Sequence, residues 1–248
     1  MKRLVSVTAA LLALLGPEAS SWAASATGPE PEGDGPTRTL PVVEIPASRV
    51  EDSHRMGALL LTGDGGFSTF SKRISSRLAS RGIPVAAISS LRYFWRRRDP
   101  DEAARDLEQI LDQHLGTWQK ERAILIGYSF GADVLPFIVS RLSQEAREKV
   151  GAIVLLGPAL SVDFKFHLSY WFLGSRGKYP MSVGEAVLKL DRSRILCVHG
   201  EEEKHSLCRD ADSDGMKVAS ISGGHRLGRH PQSIADMIVN EALGLAPD

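Results

Sequence analysis

The sequence predicts an α/β fold with a mostly parallel central sheet covered by helices on both faces. Three observations carry that expectation. Short, fully apolar runs recur along the chain. Segments with helical spacing separate them. The chain has 248 residues, 43% of them hydrophobic, which is enough for one large core.

The elements follow in order. Residues 40–45 open the series as a strand. Residues 58–61 form the next and end at Thr62-Gly63-Asp64-Gly65-Gly66. Residues 70–81 are helical through Phe70, Ile74 and Leu78. A strand at 84–88 precedes a helix at 100–115, whose apolar face is Ala103, Leu107, Ile110 and Leu111. The strand 123–126 runs straight into Gly127, and a helix at 132–142 follows. Strands at 152–156, 195–198 and 217–221 come next, the last two after a less regular stretch. A helix at 234–243 closes the chain. Strands that are apolar at every position are buried on both faces, which is the signature of a parallel sheet.

Ahead of this domain, residues 1–26 read as a cleavable signal peptide. Lys2 and Arg3 are its basic start, residues 4–15 its apolar stretch, and Ala24-Ser25-Ala26 its small-x-small cleavage site. The apolar stretch is too short to anchor in a bilayer. The expected destination is the periplasm. Residues 27–39 are a flexible Pro- and Gly-rich lead-in, and residues 40–248 form the folded domain. Lys+Arg and Asp+Glu balance at 30 each, and removal of Lys2, Arg3 and Glu18 leaves 28 against 29. Such a balance gives no basic field for nucleic acid. The only two cysteines, Cys197 and Cys208, are close in sequence and bound for an oxidising compartment, so a disulfide between them is expected. No Cys/His cluster has zinc-ligand spacing, and neither metal nor cofactor is called for.

The residues that carry chemistry begin with Gly127-Tyr128-Ser129-Phe130-Gly131. The pattern is Gly-x-Ser-x-Gly between a strand and a helix, the setting of a nucleophile on a sharp turn, and it specifies the α/β-hydrolase fold. The partners are expected in the order serine, acid, histidine. His225 follows the last strand through Ser222-Gly223-Gly224 and is the favoured base, with His230 as the alternative. The acid lies in Gly200-Glu201-Glu202-Glu203; Glu203 is favoured, with Glu201 and Glu202 left open. Two backbone N–H groups, of Asp64 and Phe130, are expected to hold the oxyanion.

Together these residues resemble the VirJ/AcvB family of bacterial periplasmic proteins. The resemblance rests on Thr62-Gly63-Asp64-Gly65-Gly66-Phe67, Ser90-Leu91-Arg92-Tyr93-Phe94-Trp95 and Gly127-Tyr128-Ser129-Phe130-Gly131-Ala132-Asp133. Cys197, the glutamates, Cys208 and Gly223-Gly224-His225 complete it. It implies an α/β-hydrolase that cleaves aminoacylated phospholipid, chiefly lysyl-phosphatidylglycerol, at the periplasmic face of the inner membrane. It also implies a link to virulence and type IV secretion through a partner that the sequence does not name. A non-catalytic binding or assembly protein on the same fold is the alternative. Asp64 and Asp133 are candidates to face a substrate ammonium, although Asp133 in the first turn of a helix also suits the helix dipole. Tyr93 and Trp95 are candidates to line the pocket, with core packing as the competing role. Arg96-Arg97-Arg98 reads as a solvated run before a helix, or as a partner for lipid phosphates. The aromatic stretch from Phe164 to Phe172 stands where such folds insert lids.

Overall fold

The alternation of side chains along each apolar run decides how the layers form. In β2 (Met56–Leu61), Leu59 and Leu61 enter one core, while Met56, Ala58 and Leu60 enter the other. The same split recurs in β4 (Arg122–Tyr128), β5 (Val150–Leu156) and β8 (Ile195–Gly200). Each strand therefore buries both its faces, at about 1.5–3 kcal/mol per large apolar side chain. The computed structural model describes residues 40–48, 55–164, 180–210, 215–227 and 230–244. The expected signal peptide, lead-in and most of the 164–172 aromatic stretch lie outside the described residues.

The main sheet has seven strands in the order β1-β3-β2-β4-β5-β8-β9, where β1 is Val42–Ile45, β3 is Val85–Ile88 and β9 is Lys217–Ile221. All neighbours pair parallel except β1, which runs antiparallel to β3 at the edge. A small antiparallel pair, β6 (Ser161–Val162) with β7 (Met181–Ser182), stands apart from it. On one face, α1 (Thr69–Ser80) contributes Phe70, Ile74 and Leu78, and the closing helix Pro231–Leu243 contributes Ile234 and Ile238. Arg77 and Asp236 tie those two helices by paired hydrogen bonds of 3.1 and 3.0 Å. On the other face lie α3 (Pro100–Trp118) and α4 (Phe130–Val139).

The expected strands and long helices are all present, with shifted ends. Asp99 caps α3 through the Asp101 N–H, and Pro100 suits its first turn. That helix runs to Trp118, past the expected 115, and stops only where Gln119 turns left-handed. Short helices at Ser90–Tyr93 (α2), Gln144–Glu148 (α5), Val183–Val187 (α6) and Leu207–Asp210 (α7) had no legible signal, because four or five residues carry too little periodicity. The closing helix is α8.

Cys197 in β8 and Cys208 in α7 are bridged, with Cα atoms 5.4 Å apart. The bridge closes a loop that contains all three candidate glutamates. Loop-closure entropy for so short a loop is worth about 3 kcal/mol. Thiol titration of unfolded, unreduced protein is expected to find no free thiol, and the Cys197→Ala/Cys208→Ala variant to lose about that much unfolding free energy. Two titratable thiols per chain would rule out the bridge.

Candidate active site

Because β2, β4, β5, β8 and β9 are neighbours and run parallel, the loops after them meet along one edge of the sheet. Ser129 stands in the turn from β4 to α4 with φ 51° and ψ −119°, a strained conformation for a residue with a side chain. Two glycines make the turn possible. A Cβ on Gly127 would lie 2.6 Å from the Ala132 Cα, and one on Gly131 would overlap the Leu61 carbonyl oxygen. The turn is closed by the Ser129 N–H donating to the Leu156 carbonyl at 2.8 Å.

The acid and the histidine come from adjacent loops. After β8, the N–H groups of Glu201 and Glu202 bond the Ile221 and Gly223 carbonyls, lashing this loop to the one that carries His225. Glu201 and Glu202 point into solvent. The Glu203 N–H instead closes a tight turn on the Gly200 carbonyl at 3.0 Å, and its side chain is 8% exposed. One Glu203 oxygen accepts the Gly200 N–H at 3.3 Å, and the other accepts the His225 Nδ1–H at 2.6 Å. Across the ring, His225 Nε2 lies 2.8 Å from Ser129 Oγ. A carboxylate only accepts, so it fixes the proton on Nδ1 and leaves Nε2 free to take the serine proton. The bond to Glu203 raises the His225 pKa above its ordinary value, burial opposes the rise, and the charges of Glu203, Asp133 and Asp64 add to it. His230, the alternative base, instead bonds the Ser222 hydroxyl at 2.8 Å.

A cleft of about 760 Å³ opens over Ser129 and His225. Asp64 lies on its wall, in a turn in which the Gly66 N–H bonds the Gly63 carbonyl at 3.0 Å. Gly63 sits against the nucleophile, for a Cβ there would lie 3.4 Å from the Ser129 Cβ. Phe130 is the first residue of α4, where backbone N–H groups have no partner within the helix. The structure thus brings Ser129, His225, Glu203, Asp64 and Phe130 to one place.

Three expected pocket residues lie elsewhere. Asp133 is buried beneath the edge, where it accepts the Ala159 N–H at 2.6 Å; it does not line the cleft. Burial pushes its pKa up to about 7, partly offset by that bond and by the His225 charge. It sits in the first turn of α4 and ties that turn to the loop after β5. Tyr93 is core: it is 5% exposed, its hydroxyl donates to Asp106, and its ring meets Phe94 edge-on. Trp95 is 62% exposed and stands outside the cleft. Phe164 packs edge-on against Phe94 and Phe137, so the one described residue of the expected lid is part of the core.

The sequence reading missed Tyr128, Arg73 and Arg226, all of which line the cleft. The Tyr128 hydroxyl donates to the Arg226 carbonyl at 3.0 Å, and burial pushes its pKa up to about 12. Tyr128 and Arg226 are sequence neighbours of Ser129 and His225, a signal that was available. Arg73 sits in α1 and offered none.

Fold and site together define a protein of the α/β-hydrolase fold with a serine, a histidine and a carboxylate in hydrogen-bonding line. The chain is similar in structure to Est1E from Butyrivibrio proteoclasticus, at 13% identity over 82% of this chain and 94% of that one, with a TM-score of 0.60. It is also similar to a monoacylglycerol lipase from Paleococcus ferrophilus (14% identity, 82% and 100% covered, TM-score 0.54). A third is a putative dienelactone hydrolase from Klebsiella pneumoniae (10% identity, 84% and 94% covered, TM-score 0.59). The family described as "Bacterial virulence protein (VirJ)" matches residues 55–244, and the chain belongs to that family. No curated protein matches the chain.

Proposed function

We propose that this protein is a serine ester hydrolase working through an acyl-enzyme, with Ser129 as nucleophile, His225 as base and Glu203 as its orienting acid. The observation that carries this reading is the unbroken line from Glu203 through His225 to Ser129, at 2.6 and 2.8 Å. His225 Nε2 takes the Ser129 proton as Oγ attacks the ester carbonyl. The Asp64 and Phe130 N–H groups receive the oxyanion; losing one such donor costs about 3 kcal/mol of transition-state stabilisation. The leaving alcohol takes its proton from His225, and water then releases the acid by the same steps in reverse.

As substrate we propose an aminoacylated phospholipid, with lysyl-phosphatidylglycerol foremost, met in the periplasm after removal of residues 1–26. Cleft charge supports this. Asp64 brings a carboxylate, and Arg73 and Arg226 bring guanidinium groups. An aminoacyl phosphodiester carries an ammonium and a phosphate on either side of its ester. Purified protein is expected to release lysine and phosphatidylglycerol from vesicles containing this lipid. If it releases neither, and a fluorophosphonate probe leaves Ser129 unlabelled, the protein is no hydrolase.

The proposal extends to Asp64. A charge-assisted contact with the lysine ε-ammonium is worth roughly 1.5–3 kcal/mol. Asp64→Asn keeps the backbone donor and the side-chain size. It is expected to lower kcat/KM for lysyl-phosphatidylglycerol more than for alanyl-phosphatidylglycerol, which shares only the α-ammonium. Equal losses on the two lipids would show that Asp64 does not read the lysine side chain.

A further inference from the structure

The carboxyl edge of the sheet carries a second surface that the cleft leaves unused. β3 ends at Ile88 and the chain turns at once into α2 and the segment 94–99, so this segment stands on the edge that holds Ser129. Its anchors are firm. Phe94 is fully buried and meets Phe130 and Phe164 edge-on. The Arg98 backbone N–H donates to the Phe164 carbonyl at 3.2 Å, and its guanidinium bonds the Tyr93 carbonyl and the Glu102 carboxylate.

What these anchors hold outward is Trp95 with Arg92, Arg96 and Arg97, all four exposed. Among the described residues, none of the three arginines forms an ion pair. The neighbouring charges are largely engaged: Arg98 pairs with Glu102, Asp101 with Arg141, and Asp99 caps α3. A local excess of positive charge surrounds an exposed indole on a chain whose formal charge is zero.

We propose that Trp95, Arg92, Arg96 and Arg97 form a docking surface for an anionic phospholipid bilayer. Each component has a separate reason. Indole rings settle at headgroup depth, with an apolar body inward and a polar N–H toward water. Guanidinium forks match lipid phosphates, and each basic residue near an anionic surface adds roughly fivefold in affinity. A soluble polyanion would satisfy the arginines alone and leave the indole exposed. The position is also apt. Leu91 of α2 packs near Gly66 of the cleft wall, so a bilayer touching Trp95 lies beside the mouth of the cleft.

Vesicle co-sedimentation of the whole protein tests this without any turnover, so it stands or falls apart from the ester-hydrolase reading. The protein is expected to bind vesicles of phosphatidylcholine with phosphatidylglycerol, to bind phosphatidylcholine alone weakly, and to be released by salt. Arg96→Glu/Arg97→Glu is expected to weaken binding by about 25-fold or more, at fivefold per lost arginine, with an unchanged melting temperature. Trp95→Ala is expected to weaken it while keeping the salt dependence. Equal binding to both vesicle types, wild-type binding by the double variant, or binding to heparin without binding to vesicles would each overturn the proposal.

Discussion

Ser129→Ala is expected to lose ester hydrolysis by roughly six orders of magnitude in kcat, the scale on which removal of a triad nucleophile acts. The variant loses one oxygen and its 2.8 Å contact with His225. The strained turn remains, because alanine meets the same backbone penalty at φ 51° that serine does, and Gly127 and Gly131 still make room. Melting temperature is therefore expected to change little, which separates chemistry from folding. Fluorophosphonate labelling is expected to vanish with the rate. A folded variant that keeps near-full activity would remove Ser129 from the mechanism.

Glu203→Gln is expected to act in two ways at once. Gln is nearly isosteric and can still accept the Gly200 N–H, so the loop after β8 keeps its turn. It no longer fixes the His225 tautomer, and the equivalent loss in a serine triad costs about 10⁴ in kcat. The pH profile gives the second signature. Only neutral His225 is a base, so the rate rises as pH climbs through its pKa. The Glu203 bond is the largest cause raising that pKa, and removing the charge lowers it. The acid limb of kcat/KM is thus expected to move to lower pH while its plateau falls. A lower plateau with an unmoved limb would mean that Glu203 does not bear on the histidine.

Most of the fold was legible because its signals are local. The apolar runs mark buried parallel strands, and Ser129 was found from five consecutive residues and the elements beside them. Glu203 was harder, since three successive carboxylates in one loop look alike. What separates them is backbone bonding: the Glu201 and Glu202 N–H groups are spent on the end of β9 and the loop after it, while Glu203 closes a turn on Gly200 that aims its side chain inward. The choice between pocket and core at Tyr93 and Trp95 was open for a related reason. Tyr93 ends a four-residue helix, and Phe94 and Trp95 follow in the irregular turn after it, one inward and one outward, so no periodicity marks which of the three is buried. Asp133 looked close to the site in sequence and is so in space, yet the helix turns it beneath the edge toward Ala159. Arg73 reaches the cleft only because α1 packs over the sheet, a tertiary fact with no local trace.

The contact between Gly131 and the Leu61 carbonyl sets a manufacturing tolerance. Leu61 ends β2 and leads through Thr62 and Gly63 to Asp64, while Gly131 follows Phe130. The two proposed oxyanion donors are therefore spaced by backbone resting on backbone, with no rotamer between them. Side chains in the cores on either face can be exchanged and repacked, but such a spacer cannot be compressed or re-tuned by them. Drift in the core sequence would alter how strongly the protein holds together long before it altered the width of the gap in which the carbonyl oxygen would sit. Residue 131 is the place where that independence ends: even a methyl group there would wedge the helix from the strand and open the gap itself.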